Sequence, residues 1–223
     1  MKVSIIIPVY NEEATIEEVI HRVKGVDLDK EIIVVDDCST DFTRQILDNS
    51  NGIKLVSTAS NQGKGTSIRA GLEQATGDII VIQDADMEYF PEDIPALIEP
   101  IVSGRADVVY GSRFLSNHPF MRWQNYLANK LLAVTASVLY NRRVSDEATC
   151  YKAFRAETLR SIKLTCKRFE FCPEVTAKLL KRKVRYEEVS IRYHARSLTQ
   201  GKKIRAWDGV IALWTLLKYR FIG

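Results

Sequence analysis

The chain has 223 residues, 46% of them hydrophobic and 27% charged, with a net charge of +4. That suffices to bury one substantial core and excludes wholesale disorder. The longest strongly apolar run near the end, Val210 to Leu217, falls far short of the roughly 20 residues a spanning helix needs, so no membrane crossing is expected. Bases are dense between Arg142 and Lys203, with Lys181, Arg182, Lys183 and Arg185 in one run and Arg192, Arg196, Lys202 and Lys203 in another. Such a surface is either a solvated basic face or one that meets phosphates. The four cysteines (Cys38, Cys150, Cys166, Cys172) form no C-x-x-C pair and have no metal-ligand spacing. With no signal-peptide pattern before the first strand-like segment, reduced thiols and a cytoplasmic location are expected.

Residues 3–7 are a continuous apolar run bounded by Pro8, as in a strand covered on both faces. Ile16, Val19, Ile20 and Val23 recur at helical spacing and stop at Gly25. Residues 32–35 read as a second buried strand, ending in Asp36-Asp37, then a helix over 40–49 and a short strand over 53–57. Ile68, Leu72 and Ala75 mark a helix closed by Gly77, and residues 79–82 a strand ending at Gln83-Asp84-Ala85-Asp86. A helix opens near Pro91, and residues 107–110 give one more strand. Further on, Trp123, Leu127, Leu131, Val134 and Val138 form an apolar stripe on a long helix. A shorter helix begins near Pro173, residues 184–191 look strand-like, and residues 207–221 form a last helix, apolar on most sides. The alternation predicts an α/β fold, a mostly parallel sheet with helices on both faces. Ligands then sit beyond the carboxyl ends of the strands, where the polar clusters lie.

Asp84 and Asp86 are the sharpest of these signals. Carboxylates at i and i+2 at a strand end can point to one side, and repel unless a cation joins them. Hard Mg²⁺ or Mn²⁺ prefers such oxygens together with phosphate, and Glu88 offers one more. Asp36 and Asp37 can accept hydrogen bonds from a base or ribose, whereas Ser39 to Asp41 suit a helix cap. In Asn61-Gln-Gly-Lys-Gly65 the glycines permit close backbone approach, and Lys64 can meet an anion at a helix start. A simple tight turn explains that segment equally well. Arg113 and the 196–203 segment are candidate diphosphate clamps for a leaving group that gains negative charge.

Ile-Ile-Ile-Pro-Val-Tyr-Asn-Glu-Glu (5–13), Val-Val-Asp-Asp-Cys-Ser-Thr-Asp (34–41), Asn-Gln-Gly-Lys-Gly (61–65), Asp-Ala-Asp (84–86) and Gly-Ser-Arg-Phe (111–114) stand in the order found in family 2 glycosyltransferases. Segments 146–152, 171–174 and 201–203 extend the resemblance to the dolichyl- or polyprenyl-phosphate hexosyltransferase branch. The resemblance implies a single GT-A-type domain over 1–223, with a nucleotide-sugar half (1–114) and an acceptor half (115–223) ending in an amphipathic helix. It implies that Pro8, Tyr10 and Glu12 line the nucleotide pocket with Asp36, Asp37, Lys64, Asp84 and Ala85. Asp86 and Glu88, with Asp84, would bind the metal, and Arg113, Arg196 and Lys202 or Lys203 would hold phosphates. The implied reaction is an inverting in-line displacement. The chain reads Thr149-Cys-Tyr151, where many members of the family it resembles have a Ser-Gly or Thr-Gly step before an aromatic residue.

A lipid-phosphate acceptor is already largely anionic near neutral pH, its second pKa being about 6, and needs no base. A sugar-hydroxyl acceptor needs one, and Asp146 or Glu147 is then the candidate. Trp207, Trp214, Tyr219 and Phe221 beside Lys203, Arg205, Lys218 and Arg220 suit peripheral attachment at the cytoplasmic membrane face. Covering the sheet, pairing with a second copy or meeting an anchoring partner would explain the same pattern. A sugar-phosphate nucleotidyltransferase should carry a Gly-rich basic loop after the first strand, and Pro8-Val-Tyr-Asn11 is not one. A phospho-receiver domain is about half this length, and no nucleic-acid-binding pattern is present.

Overall fold

The computed structural model describes residues 1–115, 121–196 and 206–222. In chain order the elements are β1 (Val3–Val9), α1 (Ile16–Gly25), β2 (Lys30–Asp36), α2 (Thr43–Asp48), β3 (Lys54–Ser57), α3 (Lys64–Gln74) and β4 (Ile79–Ile82). A 3-10 turn at Pro91–Asp93 leads into α4 (Ile94–Val102), followed by β5 (Val108–Ser112), α5 (Trp123–Tyr140) and β6 (Lys152–Arg155). The chain continues through α6 (Ala156–Arg160), α7 (Phe171–Lys181), β7 (Tyr186–Ser190) and α8 (Ala206–Phe221).

Seven strands form one sheet in the order β3-β2-β1-β4-β6-β5-β7. Every pairing is parallel except those of β6, which runs antiparallel to β4 and β5. All residues of β1 and β4 are buried. Because neighbouring strand residues face opposite sides, both faces of the sheet are covered, as their unbroken apolar runs predict. Pro8 is tolerated in a central strand for a local reason. Odd residues of β1 bond towards β2 and even ones towards β4, whose last partner on that side is Gln83 N–H to the Ile6 carbonyl. The N–H that Pro8 lacks therefore falls beyond the end of β4.

Residues 1–114 and 115–223 contribute to one sheet, in which β6 lies between β4 and β5. One expectation changes. The α2 helix starts at Thr43 rather than at residue 40, because residues 36–41 make a tight turn: the Ser39 N–H donates to Asp36 Oδ1, and Asp41 accepts from the N–H groups of Thr43 and Glu13. Asp36 thus belongs to the turn that precedes the helix.

The main core spans both faces of the sheet, while a second cluster joins α5, α7 and α8 through Leu132, Ala136, Tyr140, Leu180, Ala212 and Leu216. The long apolar stripe of α5 does not enter either core. Trp123, Leu127, Leu131, Val134 and Val138 are 55–75% exposed, and α5 buries its opposite face. On α8, Trp207, Val210, Trp214, Leu217 and Phe221 are likewise exposed, while Ala212, Thr215 and Leu216 are buried. Covering the sheet is thus not what these stripes do. Among the described residues no helix is long and apolar enough to cross a membrane.

Helix α3 approaches β1 so closely that a Cβ on Gly71 would lie 2.5 Å from Ile6 Cγ2. Gly71→Val is expected to destabilise the fold by about 3 kcal/mol through overpacking, read as a lower denaturant midpoint at unchanged slope.

Candidate active site

The carboxyl ends of β1, β2, β4, β5 and β7 and the start of β6 meet along one edge of the sheet. Asn11, Cys38 and Met87, just past the first three of these, have φ values of +49°, +62° and +61°. These left-handed residues turn the chain sharply; Asn accepts that conformation readily, whereas Cys and Met carry a strain on the order of 1 kcal/mol. Side chains then stitch the loops together. The Asn11 N–H donates to Ser39 Oγ, the Thr40 N–H to Asn11 Oδ1 and the Glu12 N–H to Thr43 Oγ1. The Thr15 hydroxyl donates to the carbonyl of Ala85, which ties the first loop to the Asp84–Asp86 segment. Pro8 is buried and Tyr10 half-buried at the root of the first loop.

Asp37 is buried and turns into the 58–63 loop, where it accepts from the Thr58 hydroxyl and from the Gln62 and Gly63 N–H groups at 2.7–3.0 Å. In this structure Asp37 fixes a loop rather than standing open. The glycines of 61–65 serve a backbone approach within the chain. A Cβ on Gly63 would lie 2.7 Å from the Lys167 carbonyl and one on Gly65 2.9 Å from that of Arg168. The anion that meets Lys64 is Asp84, at 2.5 Å between Nζ and Oδ1.

Arg196 occupies the centre of the acidic group. Its Nη2 donates to Asp86 Oδ2 (2.9 Å), its Nη1 to Glu12 Oε2 (2.8 Å) and its backbone N–H to Glu88 Oε1 (2.9 Å). The other Glu88 oxygen accepts from the Tyr193 hydroxyl, and Asp86 Oδ1 from the Glu88 N–H. Burial first, then the nearby charges of Asp84 and Glu88, pushes the Asp86 carboxyl up to about 7, against the pull of Arg196 and Lys64. A cleft of about 460 Å³ opens here, lined by Glu12, Thr15, Asp86, His194 and Arg196 among others. That volume is within the range of small-molecule sites. Among the described residues no three His, Cys, Asp or Glu side chains converge as a ready-made metal-ligand set. Asp84, Asp86 and Glu88 each engage a partner of their own.

Arg113 and Asp146, expected separately as phosphate clamp and base, pair with each other. The guanidinium grips the carboxylate through two bonds of 2.7 Å, the Arg113 N–H adds a third of 3.0 Å, and both side chains are buried. Neither group is presented to solvent. Glu147 is fully buried and its oxygens have no hydrogen-bond partner among the described residues. Burial pushes its carboxyl up to about 8, against the opposing charge of Lys152. Neither acid is therefore placed to take a proton from an acceptor hydroxyl. Lys202 and Lys203 lie outside the described residues.

Tyr193, Thr15 and His194 were not singled out by their sequence surroundings. Tyr193 holds Glu88 through its hydroxyl and places its ring under the Arg113 guanidinium at 5.1 Å. Its only sequence signal is its place just past β7, among the basic residues 192–196.

Because Glu147 keeps in the folded state a proton that the unfolded chain, with a carboxyl near 4.5, has released, its contribution to stability is present at low pH and lost between about 4.5 and about 8. Glu147→Gln is expected to remove that downward slope and to raise the melting temperature at pH 8 more than at pH 5, as thermal unfolding across that range will show.

Comparison with known proteins accords with this geometry. The chain is 31% identical to the dolichol-phosphate mannosyltransferase of Pyrococcus furiosus, in an alignment covering all of this chain and 68% of that protein. It is 34% identical to the undecaprenyl-phosphate 4-deoxy-4-formamido-L-arabinose transferase of Pseudomonas fluorescens over 77% of this chain, and spans about half (52%) of that relative's length. Among solved structures, the glucosyl-3-phosphoglycerate synthase of Mycobacterium tuberculosis in complex with Mn²⁺, UDP and phosphoglyceric acid superposes with a TM-score of 0.78 at 25% identity, covering 100% of this chain and 79% of that one. Residues 4–163 match glycosyl transferase family 2, and the chain belongs to that family.

Proposed function

We propose that the chain transfers a hexose, with inversion, from GDP-mannose or a UDP-hexose to a polyprenyl or dolichyl phosphate, with Mg²⁺ or Mn²⁺ held at Asp86. The observation that carries this reading is the charge of the cleft. Asp84, Asp86 and Glu88 gather past the end of β4, and burial together with the charges of Asp84 and Glu88 holds the Asp86 carboxyl up to about 7. A divalent cation held there relieves that repulsion. The donor set is all oxygen, which suits a hard cation that takes one or two carboxylates and completes its shell with phosphate oxygens and water. When bound, the metal neutralises charge on the departing nucleoside diphosphate.

The remaining roles belong to the chain itself. Asp84 and Glu88 stand beside Asp86 as auxiliary oxygens, and Lys64 fixes Asp84. Pro8, Tyr10, Glu12, Asp36, Asp37 and Ala85 build the wall of the nucleotide pocket, largely by holding its loops. Arg196 is the cation in position to turn onto the diphosphate, and Lys202 and Lys203 are assigned to phosphate as well. The Arg113–Asp146 pair, neutral as a unit and closed to solvent, holds the loops beside the site rather than acting as a mobile clamp and a base.

The acceptor follows from what the acids cannot do. A sugar hydroxyl needs a base in reach, and Asp146 and Glu147 are both closed off. A phosphate monoester is already anionic at neutral pH, with a second pKa of about 6, so positioning and neutralisation suffice. Both relatives named above carry a polyprenyl phosphate in their names, which supports the same assignment.

A membrane-borne acceptor also accounts for the exposed stripes of α5 and α8. They present ten large apolar side chains, flanked by the exposed bases Arg142, Arg143, Lys218 and Arg220. Each such side chain gains about 1.5–3 kcal/mol on full burial, so seating even a few in a lipid surface gives stable peripheral attachment.

Asp86→Ala, checked for folding by circular dichroism, is expected to lower transfer from GDP-mannose or UDP-glucose to dolichyl phosphate by at least about 10²-fold. Full activity in the purified variant would reject the metal role. The protein is expected to float with anionic liposomes, and Trp214→Ser with Phe221→Ser to reduce the floating fraction by more than half. Absence of flotation together with a concentration-dependent dimer by light scattering would assign the apolar face to a second copy instead.

A further inference from the structure

We propose that Arg196 is a tethered counter-ion that occupies the metal-binding carboxylates in the nucleotide-free protein, so that metal and Arg196 compete for Asp86 until a diphosphate arrives to take the arginine. This rests on the assignment of Asp86 as metal ligand made above and adds an order of events to it.

The geometry is that of a cation standing in for another. The guanidinium bridges Asp86, at the end of β4, and Glu12, just past the neighbouring β1, while the Arg196 N–H holds Glu88. Its side chain is only 14% exposed. Asp86 Oδ1 is engaged by the Glu88 N–H and Oδ2 by Arg196. A divalent cation approaching the same carboxylate meets a fixed positive charge within hydrogen-bond distance of its ligand, and the two repel.

The arginine is also incompletely satisfied where it sits. Its guanidinium has five N–H donors, and its Nε is buried with no hydrogen-bond partner. Bidentate phosphate groups are better matched to that fork than two carboxylates from different strands. A nucleoside diphosphate entering the cleft supplies such acceptors. Turning the guanidinium onto it uncovers Asp86 Oδ2, while Glu88 keeps the Arg196 N–H and the Tyr193 hydroxyl, and the uncovered charge favours the cation. The other nearby cation, Lys64, is already paired with Asp84 and does not need to move.

Two consequences follow from thermodynamic reciprocity. Metal alone binds weakly to the nucleotide-free protein, and nucleotide and metal each strengthen the binding of the other by the same factor. Free metal therefore does not dwell in the site before the donor arrives.

The test is titration of the full chain with Mn²⁺ alone, read as free Mn²⁺ by electron paramagnetic resonance, and again with saturating GDP or UDP. Arg196→Met is expected to bind Mn²⁺ alone about tenfold tighter than the unaltered protein and to lose most of the enhancement by nucleotide, a coupling of ordinary size for linked sites. Arg196→Lys, which keeps the charge, is expected to remain weak for Mn²⁺ alone. Circular dichroism checks that each variant is folded. If Arg196→Met binds Mn²⁺ no tighter while Asp86→Asn abolishes binding, the competition is wrong and the metal assignment stands. If Asp86→Asn leaves Mn²⁺ binding intact with and without nucleotide, the metal assignment falls and the competition falls with it.

Discussion

The constraint on which this structure depends is the gathering of carboxylates at one end of its central strands. Glu12 follows β1, and Asp84, Asp86 and Glu88 follow β4, its neighbour in the sheet. Adjacent parallel strands deliver their ends to the same edge, so the topology itself brings these charges together. Folding must neutralise them, and the chain does so with Lys64 from the start of α3 and Arg196 from just past β7. Burial, and after it the charges of Asp84 and Glu88, still hold the Asp86 carboxyl up to about 7.

A second buried charge pair has the opposite character. Arg113 and Asp146 satisfy each other through three bonds, and the loop that presents Asp146 is pinned from several sides. Glu188 on β7 accepts the Ser145 and Asp146 N–H groups, while Lys152 on β6 donates to the Glu147 carbonyl and lies 3.4 Å from the Tyr110 ring centroid. Removing one partner of such a buried pair typically costs about 3–5 kcal/mol, because the other is left charged and dry. This pair is part of the frame, and the groups free to respond to a ligand are those around Arg196.

How legible this was in the sequence depended on the range of the interactions. The strands β1, β2 and β4 were readable as apolar runs because both their faces are buried, and the clusters after them followed from topology. The four-residue strand β6 was not, because two of its residues are the bases Lys152 and Arg155, and the burial of Lys152 over Tyr110 has no local signature. The Arg113–Asp146 pair spans 33 residues and Arg196–Glu12 spans 184, so no spacing rule announces either. That is why Arg113 and Asp146 read as two separate functional groups. Helical periodicity revealed the α5 stripe but not its direction, since a helix buried on its small residues and exposed on its large ones has the same period as the reverse.

That outward-facing stripe is physically joined to the site. Phe114 follows Arg113 directly, packs edge-on against Tyr126 of α5 at 5.5 Å, and carries Lys130 over its ring at 4.1 Å. The first turns of α5, where the apolar stripe begins with Trp123 and Leu127, therefore lie beside the residue next to the buried arginine. For an acceptor with a charged phosphate and a long hydrocarbon chain, the two ends require different surroundings a short distance apart. On the proposed reading the polar sheet edge takes the phosphate end, and the helix beside it offers apolar side chains that the fold leaves uncovered. Burying those side chains in the protein would have stabilised the fold by the ordinary hydrophobic route. Their exposure near Phe114 is what the proposed lipid acceptor would use, because the contact of Phe114 with Tyr126 and Lys130 sets the start of the α5 stripe beside the loop that follows β5.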